Sequence, residues 1–236
     1  MEKRTDKPSA TYHAAALGLL ALNKFPFGRV TATGLENVAD RGAQILAYTH
    51  HNEWDVPAIG MSVYRHNRRL VHFWAKEELL DENKLTGRML RSMHALPVRR
   101  GGPTKSQVRD ADEVVMTGGL LALAAEGGRV NGDRVSDIFR GAGSIAIRNN
   151  VDVLPVAIAG ENMRPQAKSP AYPRPLHVHF GEAIPVEGTG RNAREFINYQ
   201  LGVDLQKALD TAYQRYEELH GQEAAARLDR GLTKLF

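Results

Sequence analysis

Seven short apolar runs alternate along the chain with segments whose apolar residues recur every three to four positions, and this alternation restricts the fold most. The runs are Arg29–Thr33, Gln44–Thr49, Leu70–Ala75, Ala95–Arg99, Gly119–Ala124, Val153–Ile158 and Leu176–Phe180. Between and around them lie helical patterns over Thr11–Leu22, Asp55–His66, Glu77–Met93, Thr104–Met116, Phe139–Asn149 and Arg194–Leu219. Strands that alternate with helices imply βαβ units, so the expected fold is α/β, with a mostly parallel central sheet flanked by helices and a helical N-terminal segment. In the last helix, Phe196, Ile197, Leu201, Leu205, Leu209, Ala212, Tyr213 and Tyr216 keep one face apolar, while Gly202 argues for a break. Pro155 interrupts an otherwise central strand. The segment Gln222–Phe236 reads as a short amphipathic tail.

With 236 residues and no interdomain linker or repeat, one domain is expected. Residues 1–27 form an N-terminal part, 28–190 an α/β core and 191–236 C-terminal helices. The absence of cysteine excludes disulfides, thiolate metal sites and a cysteine nucleophile. The net charge of +4 favours anionic partners without choosing among phosphates, anionic lipid and nucleic acid. Ala14–Leu22 is almost wholly apolar but far short of the roughly 20 residues that span a bilayer. It reads as a core helix or as a helix lying partly in a membrane interface beside Lys24, Phe25 and Phe27.

The chemistry concentrates after the second run. Ile45–Thr49 leads into His50-His51-Asn52-Glu53-Trp54-Asp55-Val56-Pro57, so polar residues fall at the carboxyl end of a strand where a helix begins, the usual ligand position in open α/β sheets. A loop histidine and an aspartate in the first helical turn can hydrogen-bond, leaving the other ring nitrogen to accept a proton from a hydroxyl. The same residues also read as surface polar groups with a helix-terminal acid. As a metal site the pair lacks a third and fourth ligand at recognisable spacing.

Three later elements bear on the same question. Arg99 and Arg100 end an apolar run and precede Gly101-Gly102, a placement suited to bidentate phosphate binding. They belong to a stretch, Lys84–Arg109, with seven basic and no acidic residues, which alternatively forms a solvated face. Glu126-Gly127-Gly128-Arg129 follows the buried run Leu120–Ala124. Its glycines permit close backbone approach to a ligand, and Arg129 adds a second guanidinium. Glu126 would hold an arginine or an acceptor hydroxyl.

His50 and Asp55 match the H-x4-D signature of the glycerophospholipid acyltransferase family. The doubled histidine also resembles the H-H-x-x-x-D-G motif of condensation-type acyltransferases, in which His51 would be the base, but Val56 stands where that family has glycine. The order His/Asp, Val98-Arg99-Arg100-Gly101, Glu126-Gly127-Gly128-Arg129, Leu154-Pro155-Val156 is that of the four glycerophospholipid acyltransferase blocks. Thr33–Asn37, Ala75–Leu79, Phe139–Gly143 and Phe180–Pro185 extend the resemblance over roughly residues 28–190. The third block departs from the usual Phe-Pro-Glu-Gly-Thr-Arg-Ser, with Gly128 and Val130 replacing hydroxyl residues.

This resemblance implies a glycerol-3-phosphate acyltransferase-like fold with His50 as general base, Asp55 orienting it and His51 as the alternative base. It implies that Arg99, Arg100, Glu126, Gly127, Gly128 and Arg129 bind the acceptor, chiefly its phosphate. It further implies acyl-CoA or acyl carrier protein as co-substrate, with no metal, no other cofactor and no acyl-enzyme. The acceptor would be 1-acylglycerol-3-phosphate by default, or another lysolipid, a glycolipid or a hydroxylated metabolite. The expected location is cytoplasmic, peripheral on the inner face of the cell membrane. A non-catalytic lipid-binding relative is the rival reading. Nucleic-acid binding ranks low, because no recognition helix or aromatic platform is present.

Overall fold

A computed structural model of the chain describes residues 10–22, 30–81, 84–130, 132–160 and 175–220. Lys24, Phe25 and Phe27, the first residue of the first expected strand, and the Gln222–Phe236 tail lie outside these residues. The strands are β1 (Val30–Thr33), β2 (Gln44–Tyr48), β3 (Val71–Lys76), β4 (Ala95–Val98), β5 (Leu120–Ala124), β6 (Val153–Gly160) and β7 (Leu176–Phe180). The helices are α1 (Ala10–Leu22), α2 (Asp55–Asn67), α3 (Glu77–Asp81), α4 (Lys84–Ser92), α5 (Lys105–Met116), α6 (Gly141–Asn149) and α7 (Gly190–His220).

All seven strands join one sheet in the order β1-β7-β6-β2-β5-β3-β4. Every neighbouring pair is parallel except β6 with β7. The α/β, mostly parallel expectation therefore holds, and the sheet's two faces are covered by helices. One face packs β-strand residues such as Leu46, Leu120 and Leu154 with Ala58, Ile59 and Val63 of α2. The other packs Ile45, Leu121 and Val153 with Val114 and Val115 of α5, Ile145 of α6 and Leu201 and Leu205 of α7. Alternate residues of β2 thus serve opposite faces, and all five are buried, as a central parallel strand requires.

Three expectations about single elements change. The pattern over Glu77–Met93 resolves into α3 and α4. A Cβ at Gly87 of α4 would overlap the carbonyl oxygen of Leu80 in α3, so the two short helices cross in direct backbone contact. Helix α7 runs unbroken through Gly202, where a Cβ would come within 3.3 Å of Ile138 Cγ1. Glycine there serves close packing, which offsets a helix cost of about 1 kcal/mol. Pro155 sits inside the eight-residue β6 without breaking it. The carbonyls of Asp152 and Val156 serve the β2 side, through Ile45 N and Thr49 N, whereas those of Val153 and Pro155 serve Ile184 N and Gly181 N. The missing Pro155 N–H therefore falls on the side where the chain has already left β7 at Gly181.

The N-terminal helix is anchored by Tyr12 and Ala16, which pack with Tyr64 and Leu70. His13 Nδ1 hydrogen-bonds the Tyr64 hydroxyl. Ala10, Ala14, Leu17 and Gly18 remain exposed. No described helix is long and apolar enough to cross a membrane.

Candidate active site

Strands β2, β5, β3 and β4 are parallel, so residues following each of them gather along one edge of the sheet. Beyond Tyr48 the chain stays pinned for one more residue. Thr49 N donates to Val156 O and Thr49 Oγ1 accepts from Ile158 N, so a side chain extends the ladder after β2 ends. His50 is then delivered at a fixed height above the strand ends.

The turn that follows is organised by a single carboxylate. Asp55, the first residue of α2, is fully buried, and its Oδ2 accepts from His51 N at 2.5 Å, from Asn52 N at 2.8 Å and from His50 Nδ1 at 3.0 Å. Asn52 Oδ1 in turn accepts from Trp54 N at 2.8 Å. A carboxylate in the first turn is also favoured by the helix dipole. Because Nδ1 of His50 faces an acceptor-only group, its proton resides on Nδ1 and Nε2 presents a lone pair. The His50 side chain is about one-fifth exposed, enough to reach a substrate while the aspartate behind it stays dry. Asp55 Oδ1 is buried and has no hydrogen-bond partner among the described residues. The Tyr48 ring packs edge-on to His50 at 5.5 Å. Burial pushes the Tyr48 hydroxyl well above its ordinary pKa, the Asp55 charge adds to this and the Arg129 charge opposes it. Tyr48 is accordingly a neutral wall of the site.

His51 differs from His50 in every respect that matters. It is buried, its Nδ1 donates to Val130 O at 2.8 Å, and its buried Nε2 has no hydrogen-bond partner among the described residues. The same peptide is tied a second time, Val130 N donating to His50 O at 2.8 Å. The loop after β5 is thereby sewn to the loop after β2, with the bonded residues 79 positions apart in the chain.

That stitching brings Arg129 to the site, where its Nη2 lies 2.5 Å from Glu53 Oε1. Gly127 adopts φ of +75°, and its N–H donates to Ala124 O, closing a tight turn in which a Cβ would press on Phe139. Gly128 has open space where a Cβ would be. Glu126 Oε1 accepts from Ser136 N, so here it fastens the loop and does not hold an arginine. Arg99 and Arg100 occupy the same sheet edge but follow β4, the outermost strand, three strand spacings or about 14 Å from β2. Arg100 Nε pairs with Glu78 Oε1 at 3.3 Å, and Arg99 N donates to Gln107 Oε1. Of the basic residues singled out in the sequence, Arg129 is joined to His50 by the local structure, and Arg99 and Arg100 are not.

Sequence reasoning passed over Glu53 and Val130. Neither has a local signature, because each acquires its place only when two distant loops meet.

Comparison with known proteins places the chain in a family. The family model described as Acyltransferase matches residues 29–159, which include β1 to β5, all but the last residue of β6, and both stitched loops. A 1-acyl-sn-glycerol-3-phosphate acyltransferase of Bacillus subtilis is 29% identical over 133 residues, covering 56% of this chain and 64% of the relative. One of Pseudomonas aeruginosa with the same name is 25% identical over 173 residues, covering 72% of this chain and 65% of the relative. The chain thus spans slightly less than two thirds of the length of these relatives. The crystal structure of the 1-acyl-sn-glycerophosphate (LPA) acyltransferase PlsC from Thermotoga maritima shares the fold, with a TM-score of 0.56, 21% identity and coverage of 89% of this chain and 77% of that one. With the family model matching more than half of its length, the chain belongs to the Acyltransferase family.

Proposed function

We propose that the protein transfers a fatty acyl group from a thioester donor, acyl-CoA or acyl carrier protein, to a hydroxyl of a lysophospholipid, with 1-acylglycerol-3-phosphate as the preferred acceptor. The observation that carries this reading is the His50–Asp55 pair. One ring nitrogen is bound to a buried carboxylate, and the His50 side chain is itself about one-fifth exposed. In this reading His50 Nε2 takes the proton of the acceptor hydroxyl as its oxygen attacks the thioester carbonyl. The buried Asp55 charge steadies the imidazolium that forms, and His50 returns the proton to the departing thiolate. The choice of His50 over His51 is supported by the His51 ring, which holds the Val130 carbonyl and is buried. Arg129 receives the acceptor's phosphate beside His50, which orients the hydroxyl. Arg99 and Arg100 contribute at longer range, through the field of the basic edge.

A shallow apolar hollow between α1 and α2 is lined by Tyr12, Ala15, Ala16, Pro57, Gly60 and Met61, with Met93. The exposed apolar flank of α1, with Arg88 and Arg91 exposed on the neighbouring α4, supports peripheral binding to an anionic membrane surface. The names of the bacterial relatives support the choice of acceptor.

The test is to incubate purified protein with acyl-CoA or acyl carrier protein and a panel of lysolipids and glycolipids, reading products by mass spectrometry. Phosphatidic acid from 1-acylglycerol-3-phosphate is the expected product, and its formation should be lost in His50→Ala. A His50→Ala protein that transfers acyl groups at the wild-type rate would overturn the reading.

A further inference from the structure

Glu53 lies in the turn between His50 and Asp55, where the side chains of Asp55 and Asn52 accept hydrogen bonds from the turn's backbone. Its own carboxylate instead meets Arg129 Nη2 at 2.5 Å. The backbone that carries this guanidinium is anchored. Residue 130, next in the chain, is held by two hydrogen bonds to the His50-His51 segment, one through each of its backbone polar groups. The Arg129 charge is felt by the buried Tyr48 hydroxyl beneath His50, which places it within the field of the site. The protein thus carries an anion of its own at the position where the arginine would meet a ligand's anion.

We propose that Glu53 is a specificity-determining residue. Its carboxylate stands in for the acceptor's phosphate on Arg129, so the acceptor binds by exchanging one anion for another. This rests on the reading of Arg129 as the phosphate-binding residue. The exchange is purely electrostatic, and no bond is made or broken. A phosphomonoester, carrying about 1.5 to 2 negative charges at neutral pH, displaces a singly charged carboxylate. A neutral or zwitterionic head group gains nothing from the exchange and leaves the Glu53–Arg129 pair closed. A ligand that uses the remaining guanidinium donors without displacing Glu53 meets like-charge repulsion, so both routes make Glu53 oppose phosphate binding. Both partners are about half exposed, so solvent screens the pair and its effect is modest.

The test compares the full-length protein with Glu53→Gln, Arg129→Gln and the double variant at low ionic strength. Two quantities are read: the KM for 1-acylglycerol-3-phosphate, and the affinity for sn-glycerol 3-phosphate by calorimetry, which needs no turnover. Glu53→Gln is expected to lower the KM and tighten glycerol 3-phosphate binding by about two- to fivefold, the range of an exposed ion pair. The gain should shrink at high salt and vanish in the Arg129→Gln background. A structural role for Glu53 would predict loss, not gain. If Arg129→Gln weakens phosphate binding but Glu53→Gln leaves it unchanged or weaker, the Glu53 proposal is wrong and the phosphate reading of Arg129 survives. If Arg129→Gln binds glycerol 3-phosphate as the wild type does, both are wrong.

Discussion

Replacing Asp55 by asparagine separates the two tasks that its carboxylate performs. Oδ2 holds the turn through the backbone N–H groups of His51 and Asn52, and it holds the His50 ring through Nδ1. An asparagine oxygen in the same place can still accept from both backbone groups. Its NH2 would fall near the Oδ1 position, which is buried and makes no hydrogen bond among the described residues. One unsatisfied donor there costs about 1–3 kcal/mol. Melting should therefore drop by about 2–10 °C for a domain of this size. The chemical loss is larger in kind. The imidazolium formed during proton transfer no longer meets a negative charge, and a charge-assisted hydrogen bond of about 1.5–3 kcal/mol is exchanged for a neutral one of about 1 kcal/mol. Adding the diminished proton-transfer capacity of the ring, kcat should fall by roughly 10²- to 10³-fold, with the acceptor KM changing little, because Arg129 is held independently of Asp55 Oδ1. Asp55→Ala, in contrast, leaves two buried N–H groups unpaired at about 1–3 kcal/mol each, so it should unfold far more readily. The assay is steady-state acyl transfer with a discontinuous product readout, paired with thermal melts of both variants. An Asp55→Asn enzyme within threefold of the wild-type kcat, at near-native stability, would refute the claim that the buried charge drives the base.

His51→Asn keeps a side-chain donor for Val130 O and should retain most activity, whereas His51→Ala should raise the acceptor KM about tenfold by freeing the Arg129 loop, a hydrogen-bond loss of roughly 1–1.5 kcal/mol; equal kinetics for the two variants would contradict the strut role. His177, nearly inaccessible and hydrogen-bonded to Thr31 and Thr33, has its pKa lowered to about 4, first by burial and then by the charges of His179, Arg215 and His220; the unfolded chain therefore binds more protons than the folded one between about pH 6.5 and 4, so stability is complete above that window and falls as pH drops through it, by about 1–2 kcal/mol at pH 5, and denaturant midpoints of His177→Gln should show a shallower slope over this range.

How much could be read in advance depended on whether a signal was local. The central strands were visible because a central parallel strand is apolar on both faces, as in Ile45-Leu46-Ala47. The His50–Asp55 pair was visible because both partners sit in one turn, five positions apart. The division of labour between His50 and His51 was not. It depends on the Val130 carbonyl, which reaches His51 only through the pairing of β2 with β5. The separation of Arg100 from the His50–Asp55 pair was not legible for a related reason. The alternation of runs gives strand direction, but the order along the sheet, with β3 and β4 beyond β5, comes from tertiary packing. Gly202 and Pro155 were read as interruptions on propensity alone, and contacts with Ile138 and the early departure of β7 override that propensity.

The seam between the loops after β2 and β5 closes only when strands from distant parts of the chain have already been zipped together, Gln44 with Leu120 through Tyr48 with Ala124. Loop closure over such a span is entropically costly and late in folding. Turnover should consequently return as the last observable during refolding, after helicity and compaction. Enzymatic assay would then serve as a clock for completion of the sheet's centre, registering what a spectroscopic probe of helix content would miss.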